Sequence, residues 1–194
     1  MGQQTCSFDF LYLSSQGKVA RGGGTGNLAT LVLITGLPGT GKTTFAKKLA
    51  STLGSNLLES DRVRRELFPK RRYTRKENLK VFGTIRKRAE DSLSRGQDVI
   101  VDATNLREEE RLGFWQLAGR QDSQIVVVRL TAPKSVVQER LSKPRQGESE
   151  ADFRVYELME GREEPLTRPC IQVDSRYCTD KSVALTAALC RGDA

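Results

Sequence analysis

The chain has 194 residues, 37% of them hydrophobic, with a net charge of +8. That length suits one well-buried α/β domain and is short for two. No apolar run approaches the ~20 residues that a membrane helix needs. The short apolar patch near the amino terminus lacks a basic flank and is interrupted by Asp9, so neither a membrane span nor a signal peptide is expected.

Cys6, Cys170, Cys178 and Cys190 have no metal-site spacing, and the chain has no histidine, which argues against zinc and for a reduced, cytoplasmic protein. The missing imidazole also leaves any proton abstraction to a carboxylate or another group. The charge is concentrated: residues 61–95 hold 13 Lys/Arg against 5 Asp/Glu, and the rest of the chain balances. Such a segment is a solvated helix face in the plainest reading, or a track for an anionic partner such as nucleic acid.

In chain order, residues 1–29 carry an apolar fragment over 8–13 and the glycines Gly22, Gly23, Gly24 and Gly26. They read as a poorly ordered leader, with a single domain over 30–194. A continuous apolar run to about residue 35 predicts a strand buried on both faces. It leads into Gly36-Leu37-Pro38-Gly39-Thr40-Gly41-Lys42-Thr43, a full match to G-x-x-x-x-G-K-[ST], with Thr44 next in a helical pattern that ends at Gly54. In this strand–loop–helix setting the glycines let successive N–H groups wrap an anion, and the helix points its positive end at the same phosphates. Lys42 is expected to reach the β- and γ-phosphates of a nucleoside triphosphate, and Thr43 to offer its hydroxyl to Mg²⁺.

A second strand over 56–60 delivers Asp61, and a short helix over 63–68 stops before Pro69. Thr74 and Glu77 form a capping-box pattern that opens a long helix to about residue 95. A third strand, Val99-Ile100-Val101, ends in Asp102. Thr104 or Asn105 then starts a helix with an apolar face of Leu106, Leu112, Trp115 and Leu117. A strand over 125–130, a helix to about 141, a polar break over 143–148 and a helix capped near Ser149 and Asp152 follow. A fifth strand over 171–174 and a helix over 183–189 close the chain. This alternation predicts a three-layer α/β fold, a parallel five-stranded sheet covered by helices on both faces. Ligands bind such sheets beyond the carboxyl ends of the strands, where the phosphate loop, Asp61 and Asp102 fall.

Four ordered blocks resemble the P-loop kinases of the polynucleotide-kinase and zeta-toxin-like group, over roughly residues 31–173. They are the phosphate loop through Lys48; Ser60-Asp61-Arg62-Val63-Arg64, similar to a D-x-x-R element; Val99 to Asn105, similar to a second acidic strand end; and Arg140 to Arg145 with Ser149 to Asp152, similar to an arginine lid near 140–152. The resemblance implies a P-loop NTPase fold, ATP and Mg²⁺, and phosphoryl transfer onto a hydroxyl. It implies Asp61 as the base, with Arg64 orienting the acceptor. Asp61 is also the best base candidate on chemistry alone, and a helix N-cap is its structural alternative. Asp102 would hold Mg²⁺ or touch the acceptor; Thr104 and Asn105 would contact the acceptor or cap a helix. Arg145, with Arg140 as second choice, would supply positive charge at the γ-phosphate.

No N-K-x-D guanine motif is present, which argues against a GTPase. The acceptor is expected to be a nucleic-acid 5′-hydroxyl, from the charge of residues 61–95 and from the resemblance. A small molecule (a sugar, antibiotic or nucleotide-sugar) is the alternative acceptor, and a non-catalytic ATP-binding switch the alternative function.

Overall fold

The computed structural model describes residues 28–143, 152–177 and 179–193. Its elements run β1 (Thr30–Thr35), α1 (Lys42–Leu53), β2 (Asn56–Glu59), α2 (Ser60–Leu67), α3 (Arg75–Leu93), β3 (Val99–Asp102), α4 (Glu108–Arg120), β4 (Gln124–Thr131), α5 (Lys134–Ser142), α6 (Phe153–Glu160), β5 (Ile171–Asp174) and α7 (Thr179–Arg191). The strands form one parallel sheet in the order β2-β3-β1-β4-β5.

Side chains alternate across a strand, and β1 shows why both faces are covered. Leu31 and Leu33 point into a core built with Val81, Phe82 and Ile85 of α3 and Phe114 and Leu117 of α4. Val32 and Ile34 point the other way, into a core with Phe45 and Leu49 of α1 and Val183 and Ala187 of α7. A third, smaller cluster joins Leu37, Leu106, Val137 and Tyr156 beside the phosphate loop. This is the expected three-layer arrangement.

Local signals explain most boundaries. Gly54 ends α1 in the left-handed region, its N–H bonded to the Ala50 carbonyl. Thr74 caps α3 by accepting from the Glu77 N–H at 3.2 Å. Glu77 does not close the box on Thr74; its carboxylate reaches further back, accepting from the N–H groups of Arg72 and Tyr73. That contact holds Tyr73 at φ 53.

Three expectations need correction. The second strand ends at Glu59, and Ser60 already belongs to α2, whose N-cap is Glu59, so Asp61 sits in the first helical turn. Neither Thr104 nor Asn105 starts α4: Asn105 takes φ 48, and the helix begins at Glu108 behind an Arg107 cap. The buried face of α4 is Arg111, Phe114, Leu117 and Ala118. Leu112 is turned to solvent, while Trp115 is half-buried and does pack against the first core, with the Arg168 guanidinium 4.6 Å above its ring. A face assigned from spacing alone missed that a long arginine can occupy an inward position when its nitrogens are all bonded.

Candidate functional site

The phosphate loop leaves β1 through Gly36, whose φ is 136 and where a Cβ would stand 2.3 Å from the Leu130 carbonyl oxygen. Only glycine fits that approach. Its N–H donates to the Thr104 carbonyl at 3.1 Å, and the Asn105 side-chain amide donates to the Ile34 carbonyl at 2.7 Å. The loop after β3 therefore braces the end of β1. Asn105 is fully buried in doing so, while Thr104 is half-buried and accepts from Thr35 Oγ1.

Within the loop the Leu37 carbonyl collects Thr40 Oγ1 at 2.7 Å and Lys42 Nζ at 2.9 Å. The lysine ammonium thus lies across the loop's own backbone. Pro38 is buried, Gly39 packs against Val137 and Leu141, and Gly41 opens α1 at φ 90. Thr44 is exposed on the first turn.

Thr43 Oγ1 donates to Asp102 Oδ2 at 2.6 Å. Asp102 is 5% exposed, and burial pushes its carboxyl above the ordinary range. Lys42, the Thr43 hydroxyl and Lys47 pull it back down, while the nearby negative charge of Asp61 pushes it up. Asp61 itself is half-buried. Lys42, Thr43, Asp61 and Asp102 therefore share one electrostatic neighbourhood at the carboxyl ends of β1 and β3.

Among the described residues no group of three or more His, Cys, Asp or Glu stands together as a metal site. Thr43 and Asp102 suit Mg²⁺ of the kind that keeps water and takes substrate phosphates as its other ligands.

Arg64, expected to orient the acceptor, is buried between α2 and α3, with Nε and Nη1 lacking a hydrogen-bond partner among the described residues. It is 5% exposed, donating to Asn78 Oδ1 at 2.7 Å, 3.7 Å from the Glu77 carboxylate and stacked on Tyr73 with 4.6 Å to the ring centre. Those contacts tie α2 to α3. Arg145 lies outside the described residues, as does most of the polar break around it. Arg140, the second choice, reaches the loop: Nη1 donates to the Gly39 carbonyl at 3.3 Å and to Ser175 Oγ at 2.7 Å.

Sequence reasoning passed over Glu59, which faces Asp102 in the β2–β3 register and pairs with Lys47 at 3.3 Å. Its position at a strand's carboxyl end is the signal that could have found it. Ser175, just beyond β5, carries the same signal.

Sheet order, glycine-cradled loop and the Thr43–Asp102 contact define an α/β P-loop protein of NTPase-like fold. The chain belongs to the AAA domain family AAA_33, whose model matches residues 31–166. In sequence it is 28% identical, over 145 residues, to the uncharacterized protein Rv2004c of Mycobacterium tuberculosis; the match takes in 69% of this chain and 29% of that protein. The chain thus spans under a third of the length of the curated relatives it matches.

Solved structures share the fold. A kinase candidate from Chloroflexus aurantiacus superposes with TM-score 0.70 at 24% identity, covering 87% of this chain and 99% of that one. The Mycobacterium tuberculosis APS kinase CysC, in complex with AMPPNP and APS, gives 0.66 at 18% identity over 83% and 96%. A gluconokinase from Sinorhizobium meliloti gives 0.61 at 19% identity over 85% and 93%. The fold is that of P-loop kinases.

Proposed function

We propose that the protein is an ATP-dependent phosphotransferase that moves the γ-phosphate to a hydroxyl acceptor. The observation that carries this is the Thr43–Asp102 hydrogen bond beside Lys42, with the Asp61 charge close enough to act on Asp102. Loop N–H groups and Lys42 bind the triphosphate. Mg²⁺ held by Thr43 and Asp102 would neutralise charge on the phosphates. Asp61 accepts the proton of the acceptor hydroxyl as its oxygen bonds to the γ-phosphorus and ADP leaves. Arg140, fixed on the Gly39 carbonyl, adds positive charge beside the loop. Arg145, three residues beyond α5 in the sequence, would supply the positive charge at the γ-phosphate.

For the acceptor, Lys76, Lys80 and Lys87 are exposed at helical spacing on α3, with Lys70 and Arg72 exposed on the loop before it. That stripe favours a polyanion, a nucleic acid with a free 5′-hydroxyl. A second reading has its own support. Arg62 and Arg88 pair with Glu66, and Arg64 with Glu77, so part of the basic segment is already neutralised. The chain's fold relatives, an APS kinase and a gluconokinase, act on small molecules by their names. This favours a small hydroxyl-bearing acceptor.

The test is ADP release from Mg·ATP with a 5′-hydroxyl oligonucleotide and, separately, with a panel of sugars and nucleotides. ADP formed only with the oligonucleotide, with affinity falling steeply as salt rises, supports the nucleic-acid acceptor; ADP formed only with a small molecule supports the second. Tight ATP binding with no acceptor-dependent ADP from either set reduces the protein to a nucleotide-binding switch.

A further inference from the structure

Arg111 is 2% exposed, in the first turns of α4, and plays no part in the chemistry above. A buried guanidinium is costly unless its N–H groups are all engaged, and these are. Nε and Nη2 donate to the Glu108 carboxylate at 3.1 and 2.9 Å. Nη1 donates to the carbonyls of Asn105 and Leu106 at 3.0 and 2.7 Å. Nη2 also reaches the carbonyls of Glu164 and Pro165 at 3.3 and 2.8 Å. One side chain thus clamps two stretches of backbone far apart in sequence.

Each stretch leads to the phosphate loop by a different route. Asn105 bonds the Ile34 carbonyl at the end of β1, and the Leu106 side chain packs with Leu37 of the loop, Val137 of α5 and Tyr156 of α6. The 164–165 stretch follows α6, and α5 packs on α6 while carrying Arg140 to the Gly39 carbonyl. The Glu164 N–H adds a bond to the Leu106 carbonyl at 3.0 Å, and the Glu108 N–H donates to the Glu164 carboxylate at 2.6 Å.

We propose that Arg111 is a positioning residue that fixes helices α5 and α6 against the phosphate loop, so that a nucleotide held by the loop is felt in α6. Lysine cannot stand in: a single ammonium with three N–H groups cannot span both backbone stretches and Glu108. The inference rests on the nucleotide binding proposed above, and its test separates the two.

Hydrogen–deuterium exchange of the full chain is compared with and without Mg·AMPPNP. Wild type is expected to slow exchange at least threefold both at 36–46 and at 153–166. Arg111→Lys keeps the first protection and loses the second. It also lowers kcat, normalised to the folded fraction, at least tenfold with the KM for ATP within threefold, a loss that remains once simple loss of stability is corrected for. Glu164→Ala, at an exposed position, removes one anchor without emptying a buried site and serves if Arg111→Lys does not fold; it reduces the 153–166 protection by half or more. Protection at 36–46 alone in wild type, or full protection at 153–166 in either variant, overturns the inference and leaves nucleotide binding standing. No protection at 36–46 overturns nucleotide binding, and the inference with it.

Discussion

Thr43 Oγ1 and Asp102 Oδ2 stand 2.6 Å apart although 59 positions separate them in the chain. One is the last residue of the phosphate-loop motif and the other ends β3, which lies beside β1 in the sheet. Parallel pairing of β1 with β3 is what makes the contact possible, because it sets Ile34 opposite Asp102. Asp102 is held in a buried setting that disfavours the carboxylate's charge.

That cost gives a signed prediction. The folded-state value for Asp102 lies above its ordinary 3.8, so the folded protein holds this proton more tightly than the unfolded chain does. Stability then falls as pH rises from 3.8 through the folded value, and the loss is complete above it. Asp102→Asn removes the charge while its amide oxygen can still accept from Thr43. The free variant is expected to have a higher Tm than wild type at pH 7, measured by scanning calorimetry. The further Tm rise that Mg·ATP gives wild type should vanish in the variant, and EDTA should cancel that rise in wild type. A variant that melts below wild type, yet keeps its response to Mg·ATP, contradicts both the site and the sign.

Gly36 and Gly54 separate two uses of a positive φ. At Gly54, φ is 65 and nothing lies within 4 Å of an added Cβ, so Gly54→Ala meets only backbone strain. At Gly36 the same addition meets the Leu130 carbonyl oxygen at 2.3 Å, with φ at 136, far outside the left-handed well. Gly54→Ala is expected to cost about 1 kcal/mol, whereas Gly36→Ala should cost ~3 kcal/mol or more because backbone on both sides must shift. Urea unfolding of the two variants measures the difference directly. Equal losses would mean that the loop yields where the packing says it cannot.

The loop was legible from sequence because its glycines, lysine and threonine are consecutive and the flanking periodicities change from strand to helix. Asp102 was legible for a similar reason, as the acidic end of an apolar run. The contacts that Arg64 and Arg111 make were not. Their surroundings come from residues distant in sequence or from backbone carbonyls, such as Pro165 for Arg111, and no local pattern encodes a carbonyl's direction. Asn105 shows a further limit. A polar residue after a strand reads as a helix cap, yet here its side chain spends its donor on Ile34, and α4 begins three residues later.

Arg64 bears on both stability and function. Its buried position between Asn78, Glu77 and Tyr73 means that Arg64→Ala leaves Glu77 with less compensation in a nearly dry site. Removing one partner of a buried pair typically costs about 3–5 kcal/mol, and the lower end is expected here because Glu77 keeps the N–H groups of Arg72 and Tyr73. Denaturant unfolding gives the loss. A drop below ~1 kcal/mol, the scale of an exposed ion pair, would show that the guanidinium is held loosely and is free to serve an acceptor.

Asp61 is the residue whose removal most directly separates a kinase from a nucleotide-binding switch. It lies in the first turn of α2, and asparagine keeps the size of its side chain there, so the Tm of Asp61→Asn is measured beside its activity. Its negative charge acts on Asp102, beside Thr43 and the phosphate loop, where the proposed acceptor hydroxyl would need a base. Acceptor phosphorylation by Asp61→Asn is expected to fall by about 10²–10⁴ while ATP affinity stays within a few-fold, as read by single-turnover assays and by nucleotide titration. Loss of the Asp61 charge should also lower the Asp102 value, so Mg²⁺-dependent nucleotide binding should persist to lower pH in the variant than in wild type. Turnover within a few-fold of wild type would remove Asp61 as the base and transfer the question to Glu59, a carboxylate at the sheet's carboxyl edge next to Asp102.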